Sequence, residues 1–422
     1  MPSIGRRRRR KRSALSMPVK QHSIVTWEQN HVRAAVVELA QGVGEMLGVA
    51  AAPVHGVDPS CRPDIDRWVA GCGRALTQAE DMTPAVCGRK IVPDHVTMSI
   101  PGPITLTLPV KVSWRRRNPK QGITLGEMSH LMVRGYRKAQ DLLGTRFRDL
   151  RVDFVSGAVS GIQLDGQTVL DPIGLHGQQL GLEMSFCLAP IEWIRALQEV
   201  ARQLNLNLTA IAPDHTLCAA AATDYEALLV SLYDDATLLS LVRCGRIAWS
   251  ASLEQGERQL LASVASKVDA SLGERTAHQP DALIRAFRSG TLLPHVSDQV
   301  SSAFWETLRS WMSSMAGQYR QKQSDSWAPH HIYAWDVTRR LPEAAMALDT
   351  PFWERLLPFE RCPEIVPLDA PMVPNVLDRS GQGSDRTYLV LRALARHLVG
   401  LFVPTASLDR TLAAIIASGG KA

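Results

Sequence analysis

The densest set of charged side chains is a basic run near the N-terminus, and its chemistry is the binding of anions. Its seven members are Arg6, Arg7, Arg8, Arg9, Arg10, Lys11 and Arg12. The formal net charge is +6, so the rest of the chain carries a charge of about −1. Such a run can bind an anionic membrane surface, at about 1 kcal/mol per basic residue. It can also bind nucleic acid phosphates without sequence preference, and a solvated leader without a function is a third, comparable interpretation of this run.

A second basic stretch, from Trp114 to Lys120, contains three arginines and one aromatic residue. It is compatible with nucleic acid but too short to be specific. We therefore predict a surface turn here and do not expect nucleic acid as a partner.

Residues suited to acid and base catalysis are present but lack identifiable partners. Glu226, Asp234 and Asp235 are the main carboxylates considered, and no G-x-S-x-G, H-E-x-x-H or G-x-x-x-x-G-K-[ST] motif occurs. We therefore predict solvated loop acids and assign no catalytic residue.

The residues that bind metals or form disulfides are scattered. The seven cysteines are odd in number and never form a C-x-x-C pair, which argues against a zinc site or a disulfide framework. His330 and His331 are adjacent, and neighbours on a strand point to opposite faces. We predict no metal site.

The length and composition are those of a globular protein with several cores. The chain has 422 residues, 45% of them hydrophobic, which predicts roughly two to four domains. No run of about 18 apolar residues indicates a membrane span, and no apolar region follows the N-terminal charges. We expect a cytoplasmic body.

The hydrophobic periodicity predicts alternating strands and helices. Apolar runs at 23–25 and 32–38 indicate a hairpin, and the alternation from His95 to Pro109 indicates a strand pair. Thr124 and Glu127 form a capping-box pattern that begins a helix. Further elements are predicted as a helix at 64–81, a helix at 191–204, strands at 206–211, 228–232, 238–242, 247–250 and 332–335, a long helix at 296–320, and a closing helix at 388–402.

One loop carries a family resemblance. Its six defining residues are Asp171, Pro172, Gly174, Gly177, Leu180 and Glu183. This spacing resembles the DPxGxxGxxLxxxxH signature of FtsA, an actin-like cell division protein. The resemblance implies an α/β, actin-like (ribonuclease H-like) duplicated fold with an FtsA-type inserted subdomain. Glycines suit a loop with unusual backbone angles, so we interpret the motif as structural.

The resemblance also implies a domain organisation. The expected parts are a disordered basic tail (1–20), the first actin-like half (21–92 and 189–225), the inserted subdomain (93–188), the second half (226–384), a closing helix (385–404) and a flexible tail (405–422).

The nucleotide loops of the family are altered in this sequence. The first phosphate loop would begin at Thr26, and the second would contain Asp234, Asp235 and Thr237. The adenosine loop would contain Arg339 and Arg340, either of which could serve an altered anion site. The expected glycines are absent, and two carboxylates oppose an anionic phosphate unless a cation intervenes. The resemblance thus implies a pseudo-ATPase without a cofactor, with binding of ATP and magnesium as the alternative.

The function implied is a scaffold of bacterial cell division that links an FtsZ-like filament protein to the cytoplasmic membrane. Other divisome proteins, an anionic membrane surface and self-association are the further partners implied. FtsA proteins reach the membrane through a C-terminal amphipathic helix, and here the arginine run offers a substitute on the inner membrane face. The alternatives are a PilM-like platform protein of pilus or secretion machinery and a true ATPase with altered loops.

Overall fold

The computed structural model describes residues 20–28, 31–54, 63–272, 280–323, 328–337, 339–402 and 408–420. The basic run at 6–12 lies outside these ranges, so the predictions made for it remain predictions.

The described chain forms strands and helices in alternation. The strands are β1 (Lys20–Glu28), β2 (His31–Ala40), β3 (Val43–Pro53), β4 (His95–Ile100), β5 (Leu106–Arg115), β6 (Val152–Leu164), β7 (Gln167–Thr168), β8 (Gln179–Pro190), β9 (Asn207–Pro213), β10 (Glu226–Leu232), β11 (Thr237–Arg243), β12 (Arg246–Leu253), β13 (His331–Asp336), β14 (Glu364–Pro367) and β15 (Val376–Asp378). The helices are α1 (Ile65–Cys87), α2 (Leu125–Arg146), α3 (Ile191–Gln203), α4 (Asp214–Cys218), α5 (Glu257–Leu272), α6 (Pro280–Arg288), α7 (Pro294–Lys322), α8 (Pro342–Leu348), α9 (Pro351–Leu356), α10 (Leu389–Phe402) and α11 (Leu408–Ala417).

Two sheets repeat the same arrangement. The first has the order β15-β3-β2-β1-β4-β9 and the second has the order β12-β11-β10-β13-β14. In each sheet three antiparallel strands come first, and parallel strands follow beside the first of them. Parallel strands need a crossover element, which helices α1 and α7 provide. The repeat is the duplication that the sequence analysis expected.

A third sheet, with the order β5-β8-β6-β7, interrupts the first half. Helix α2 covers it and buries Met128, Leu131 and Met132 against its strands. Thr124 caps α2 in the predicted capping box, which confirms that helix start. The predicted pairing of the two strands between His95 and Pro109 is wrong. β4 pairs with β1 and β9, whereas β5 pairs with β8, because a tight turn at 101–104 sends the chain out of the first sheet.

The final two helices pack differently. Helix α10 lies in the core between the two main sheets, as expected of a closing helix. Residues 408–417 fall in the segment expected to be a flexible tail, but they form α11, which buries Leu412 and Ile415 against the inserted sheet. Asp409 fixes the helix by accepting a hydrogen bond from Val159 N (2.9 Å) and by pairing with Arg246 (2.5 Å).

The long helix α7 places its predicted stripe in the core. Phe304, Leu308, Trp311, Met312 and Met315 are all buried, and they pack against β10, β11 and β12 in one cluster. This confirms the interpretation of the stripe as core. Among the described helices, none is both long and apolar enough to cross a membrane.

Candidate functional site

The turn between β10 and β11 is where the family's second phosphate loop would lie. Tyr233 N–H donates to Ala236 O (2.8 Å) and closes the turn around Asp234 and Asp235. The first turn of α5 packs on it, since Glu257 N–H donates to Tyr233 O and Arg258 N–H donates to Asp234 O (both 2.9 Å). The backbone N–H groups of Tyr233, Glu257 and Arg258 are therefore used within the protein.

Gly256 allows this close packing of α5 on the turn. A Cβ at this position would overlap the backbone of Asp234, Asp235 and Ala236. Because backbone atoms cannot move aside as a flexible side chain can, the turn and the start of α5 leave no room between them.

The carboxylates of the turn are paired with arginines from two other elements. Asp234 contacts Arg258 (3.0 Å) and Arg340, and Asp235 also contacts Arg258. Arginine guanidinium groups match phosphates and carboxylates equally well. The carboxylates of the two aspartates therefore pair with the arginine groups that an anionic ligand would otherwise bind.

A third carboxylate, Glu257, is fully buried beside this cluster. Its Oε1 lies 2.8 Å from Arg340 Nε, a contact that lacks the alignment of a hydrogen bond. Burial raises the pKa of Glu257 to about 8, with Asp336 and Asp234 adding to the rise and Arg340 opposing it. A carboxyl with this pKa is mostly protonated at neutral pH.

Thr237 lies at the start of β11, next to the turn, and is completely buried. Its hydroxyl donates to Gln255 O (2.6 Å) and accepts from Trp311 Nε1 (2.9 Å). Both bonds hold β11 against neighbouring segments of the same half. The hydroxyl that the resemblance implies for nucleotide binding is engaged in the core instead.

A polar cluster joins the turn to the first half of the protein. The Tyr233 hydroxyl donates to Asp214 Oδ1 (2.6 Å), which also accepts from Gly102 N–H (2.8 Å). All three residues are buried, and a Cβ on Gly102 would lie 2.6 Å from the Tyr233 oxygen. The Asp214 carboxylate raises the pKa of Tyr233 further above the effect of burial. The side chain of Tyr233 thus fills the space between the halves.

His215 lies beside this cluster and is 1% exposed. Its Nδ1 is 3.9 Å from Asp214 Oδ1, too far for a hydrogen bond. Burial lowers the pKa of His215 to about 4. The imidazole is therefore neutral at physiological pH and does not offset the charge of Asp214.

Two predicted site residues lie apart from the turn. Thr26 is inside β1 rather than in a loop, opposite Arg33, and its buried hydroxyl lacks a hydrogen-bond partner among the described residues. Arg339 has a left-handed backbone (φ 60°) and reaches toward Asp385 (3.5 Å). Its neighbour Arg340 is the arginine that contacts Asp234.

The signature loop has structural contacts throughout. Asp171 accepts from Ile173 N–H (3.0 Å), Pro172 O accepts from Leu175 N–H (3.0 Å), and Gly174 has a φ of 81°. A Cβ on Gly177 would press on Leu164 (2.5 Å). The left-handed backbone of Gly174 and the close packing at Gly177 explain the two glycines at these positions.

The last two signature residues connect the loop to the rest of the fold. Leu180 is fully buried in the core of the inserted sheet. Glu183 pairs with Lys111 (2.6 Å) in the inserted sheet and with Arg243 (2.9 Å) in the second half. Glu183 therefore helps to fix the inserted sheet against that half.

The chemistry open to this arrangement is limited. Asp234, Asp235 and Thr237 lie together at the turn between β10 and β11. Their side-chain polar atoms already contact other residues of the protein. Among the described residues, no cluster of three or more His, Cys, Asp or Glu side chains could hold a metal ion.

Comparison with known proteins defines the fold. No family model matches the sequence, and no curated protein matches it. A PilM-PilN type IV pilus biogenesis complex is structurally similar, with a TM-score of 0.57 and 11% identity over 89% of this chain and 98% of that chain.

Other similar structures are more distant. The ethanolamine utilization protein EutJ from Carboxydothermus hydrogenoformans matches with a TM-score of 0.41 and 10% identity over 90% of each chain. The apo psk41 parM protein matches with a TM-score of 0.39 and 7% identity over 90% of this chain and 99% of that chain.

The chain therefore has an actin-like α/β fold, as the sequence analysis expected. Structural similarity at such low sequence identity shows the fold alone, so the function has to be argued from the site. The comparisons support the actin-like class and do not show the FtsA family in particular.

Four residues that define the closed turn were not among the predicted site residues: Asp214, Tyr233, Glu257 and Arg258. Tyr233 lies in the turn, Glu257 and Arg258 are adjacent in α5, and Asp214 belongs to the first half. The contact of Tyr233 with Asp214 therefore arises only when the two halves pack. Asp214 directly follows Pro213 at the end of β9, where the sequence gives no pattern that marks a buried carboxylate.

Proposed function

We propose that this protein is a scaffold with an actin-like fold that works without binding or hydrolysing ATP. The observation that carries the proposal is the pairing of Asp234 and Asp235 with Arg258 and Arg340. A nucleotide would have to displace these carboxylates, open the packed turn and break the Tyr233 contact with Asp214. Each of these steps opposes binding.

Stability measurements with and without nucleotide test this proposal. A ligand that binds only the folded state raises the unfolding temperature in proportion to its concentration relative to Kd. We expect no shift with ATP and magnesium at concentrations up to several millimolar. A shift that grows with ATP concentration would contradict the proposal.

The first candidate assembly is a PilM-like platform of pilus or secretion machinery. The similar solved structure is a PilM-PilN complex and is covered over 98% of its length, so the likeness includes the inserted sheet and both halves. In this proposal the chain binds a PilN-like partner.

The second candidate is an FtsA-like scaffold of cell division, which the signature loop favours. Asp171, Pro172, Gly174 and Gly177 all have the structural contacts that give the motif its spacing. In this proposal the partners are an FtsZ-like filament protein and other divisome proteins, and copies of the chain associate with one another.

Direct peptide binding separates these two candidates. A labelled FtsZ tail peptide and a labelled PilN segment, both taken from the source organism, would be titrated with the full chain and followed by fluorescence anisotropy. Saturable binding of the PilN segment alone supports the platform, and binding of the FtsZ tail alone supports the division scaffold. Binding of neither peptide would contradict both assemblies.

The basic run at 6–12 is proposed as the electrostatic contact with the inner face of the membrane. Its seven positive charges account for the whole basic excess of the chain, and attraction of this kind weakens as salt increases. Deleting residues 6–12 should reduce sedimentation with anionic vesicles. Unchanged sedimentation would remove this part of the proposal.

A further inference from the structure

The inserted sheet has one end that lies opposite the points where the chain enters and leaves it. The chain enters the insert at β5 and leaves it at the end of β8, and Leu106 pairs with Leu188 near these points. At the opposite end Arg115 pairs with Gln179, and Leu164 pairs with Leu180. We call this far end the insert tip. It consists of the loops at 115–125 and 165–178.

Backbone hydrogen bonds hold the two loops of the insert tip together. Gly174 N–H donates to Ile123 O (2.8 Å), and Ile123 N–H donates to Leu175 O (2.9 Å). Gly122 and Gly174 are close enough that a Cβ on Gly122 would lie 3.1 Å from Gly174 O. The tip is therefore one ordered surface rather than two independent loops.

The insert tip exposes four large aliphatic side chains. Leu170 is 75% exposed, Ile173 43%, Leu125 40% and Leu175 40%. Single exposed apolar residues are ordinary, but a group of them on one ordered surface marks a binding face. The signature loop supplies two of the four, which its structural contacts alone do not explain.

Basic side chains stand beside these aliphatic groups. Arg117 and Lys120 are exposed, and neither forms an ion pair with any part of the chain that the structure describes. Their neighbour Arg116 differs, since it is buried, pairs with Glu127 (3.0 Å) and donates to Gly177 O (3.0 Å). One arginine of the stretch thus has a structural role, and Arg117 and Lys120 remain available.

The two acidic residues of the insert tip accept hydrogen bonds from backbone N–H groups. Asp171 accepts from Ile173 N–H, and Asp165 accepts from the N–H groups of Gln178 and Gln179. These hydrogen bonds leave both carboxylates charged, so the four basic and two acidic residues of the tip give it a formal charge of +2, compared with about −1 for the whole chain outside the basic run.

We propose that the insert tip docks on an anionic lipid bilayer, with its aliphatic side chains in the interface and Arg117 and Lys120 against the headgroups. Aliphatic groups that project from loop ends suit a deformable surface, whereas peptides are usually bound in grooves or on sheet edges. Attachment to a bilayer takes two weak signals together, and the tip joins apolar and basic groups on one surface. The inference rests on the proposed membrane location and adds the insert tip to the basic run as a second surface that contacts the membrane.

Vesicle sedimentation with the full chain tests the inference. The probes are vesicles of phosphatidylcholine with 30% phosphatidylserine and vesicles of phosphatidylcholine alone. We expect Leu170→Ser/Ile173→Ser and Arg117→Glu/Lys120→Glu each to lower the vesicle partition coefficient about fivefold or more. Leu293→Ser is the matched control, because Leu293 is 64% exposed and lies in the second half. It should leave the coefficient unchanged.

The same variants made in a chain without residues 6–12 separate the two contacts. The deletion should leave weaker binding that the tip substitutions abolish. Equal binding by native and tip variants in both backgrounds would overturn the inference, as would equal binding to vesicles without phosphatidylserine. Loss of peptide binding with unchanged vesicle binding would overturn it in favour of a protein surface. ATP binding would contradict the nucleotide-free scaffold without altering any vesicle result.

Discussion

The Tyr233 hydroxyl lies 2.6 Å from Asp214 Oδ1, and this hydrogen bond joins the two halves of the protein. Tyr233 belongs to the turn between β10 and β11, and Asp214 follows β9 in the first half. A tyrosine in the turn that would otherwise approach a phosphate therefore links the two halves through a buried hydrogen bond.

Replacing this tyrosine should weaken the link. Tyr233→Phe keeps the ring but removes the donor to the buried Asp214 carboxylate, so we expect the free energy of unfolding to fall by about 1–3 kcal/mol. Urea unfolding measures the change. Tyr225→Phe is the control, since Tyr225 is 52% exposed, and it should have little effect. Equal effects of the two substitutions would contradict the role given to Tyr233.

The two predicted nucleotide-binding threonines should respond differently to loss of the hydroxyl. Thr237→Val removes the acceptor for buried Trp311 Nε1 and the donor to Gln255 O, so we expect a loss of about 2 kcal/mol. Thr26→Val removes a buried hydroxyl without a described partner and should be neutral or stabilising. Urea unfolding of both variants checks this, and a larger loss for Thr26→Val would contradict the assigned contacts.

The raised pKa of Glu257 predicts a loss of stability at alkaline pH. The folded protein holds this proton up to a pKa of about 8, whereas the unfolded chain releases it near pH 4.5, so stability falls as pH rises through this window. Between pH 7 and 9 the loss should be about 1–1.5 kcal/mol. Burial lowers the pKa values of His215 and His397 to about 4, so both imidazoles are neutral in the folded protein at pH 7. These two histidines lower the stability of the protein only as the pH falls below about 6.5.

Glu257→Gln isolates this effect from other groups that change stability at alkaline pH, such as Cys72, because burial raises the pKa of its thiol in the folded protein. The variant should lose less stability than the native protein between pH 7 and 9 by the amount given above. Parallel urea titrations at several pH values would show it. Identical slopes for the two proteins would mean that Glu257 is ionised in the folded state at neutral pH.

The docking of α11 should depend on Asp409. Asp409→Ala removes the bonds to Val159 N and Arg246, which leaves the helix held by its apolar face alone. We expect trypsin to cleave after Arg410 several times faster than in the native protein, because cleavage follows local opening. Asp281→Ala, at an exposed position in α6, is the control. An unchanged cleavage rate would show that the apolar contacts suffice.

The sequence predicted much of the fold because its elements have strong local signals. The capping box at Thr124 and the apolar stripe of α7 are both local patterns, and the structure has both. The predicted pairing of β4 with β5 failed because alternation reveals strands but not their partners. Contacts between distant segments decide those partners.

The candidate site was harder to predict for the same reason. Asp234 and Asp235 are visible in the sequence as unusual residues for a phosphate loop, but their partners Arg258 and Arg340 are 24 and 106 residues from Asp234. The sequence alone does not separate Arg339 from Arg340, because adjacent residues are equivalent in a loop of unknown conformation. The positive φ of Arg339 sends the two side chains to different partners.

Equilibrium binding of labelled ATP with magnesium directly tests the proposal that the paired turn between β10 and β11 excludes nucleotide. The native protein would be compared with Asp234→Gly/Asp235→Gly, which removes both carboxylates that pair with Arg258 and Arg340. We expect no saturable binding of ATP by the native protein at millimolar concentrations. Saturable binding of ATP by the native protein would contradict this proposal and would make Asp234 and Asp235 candidates for holding magnesium.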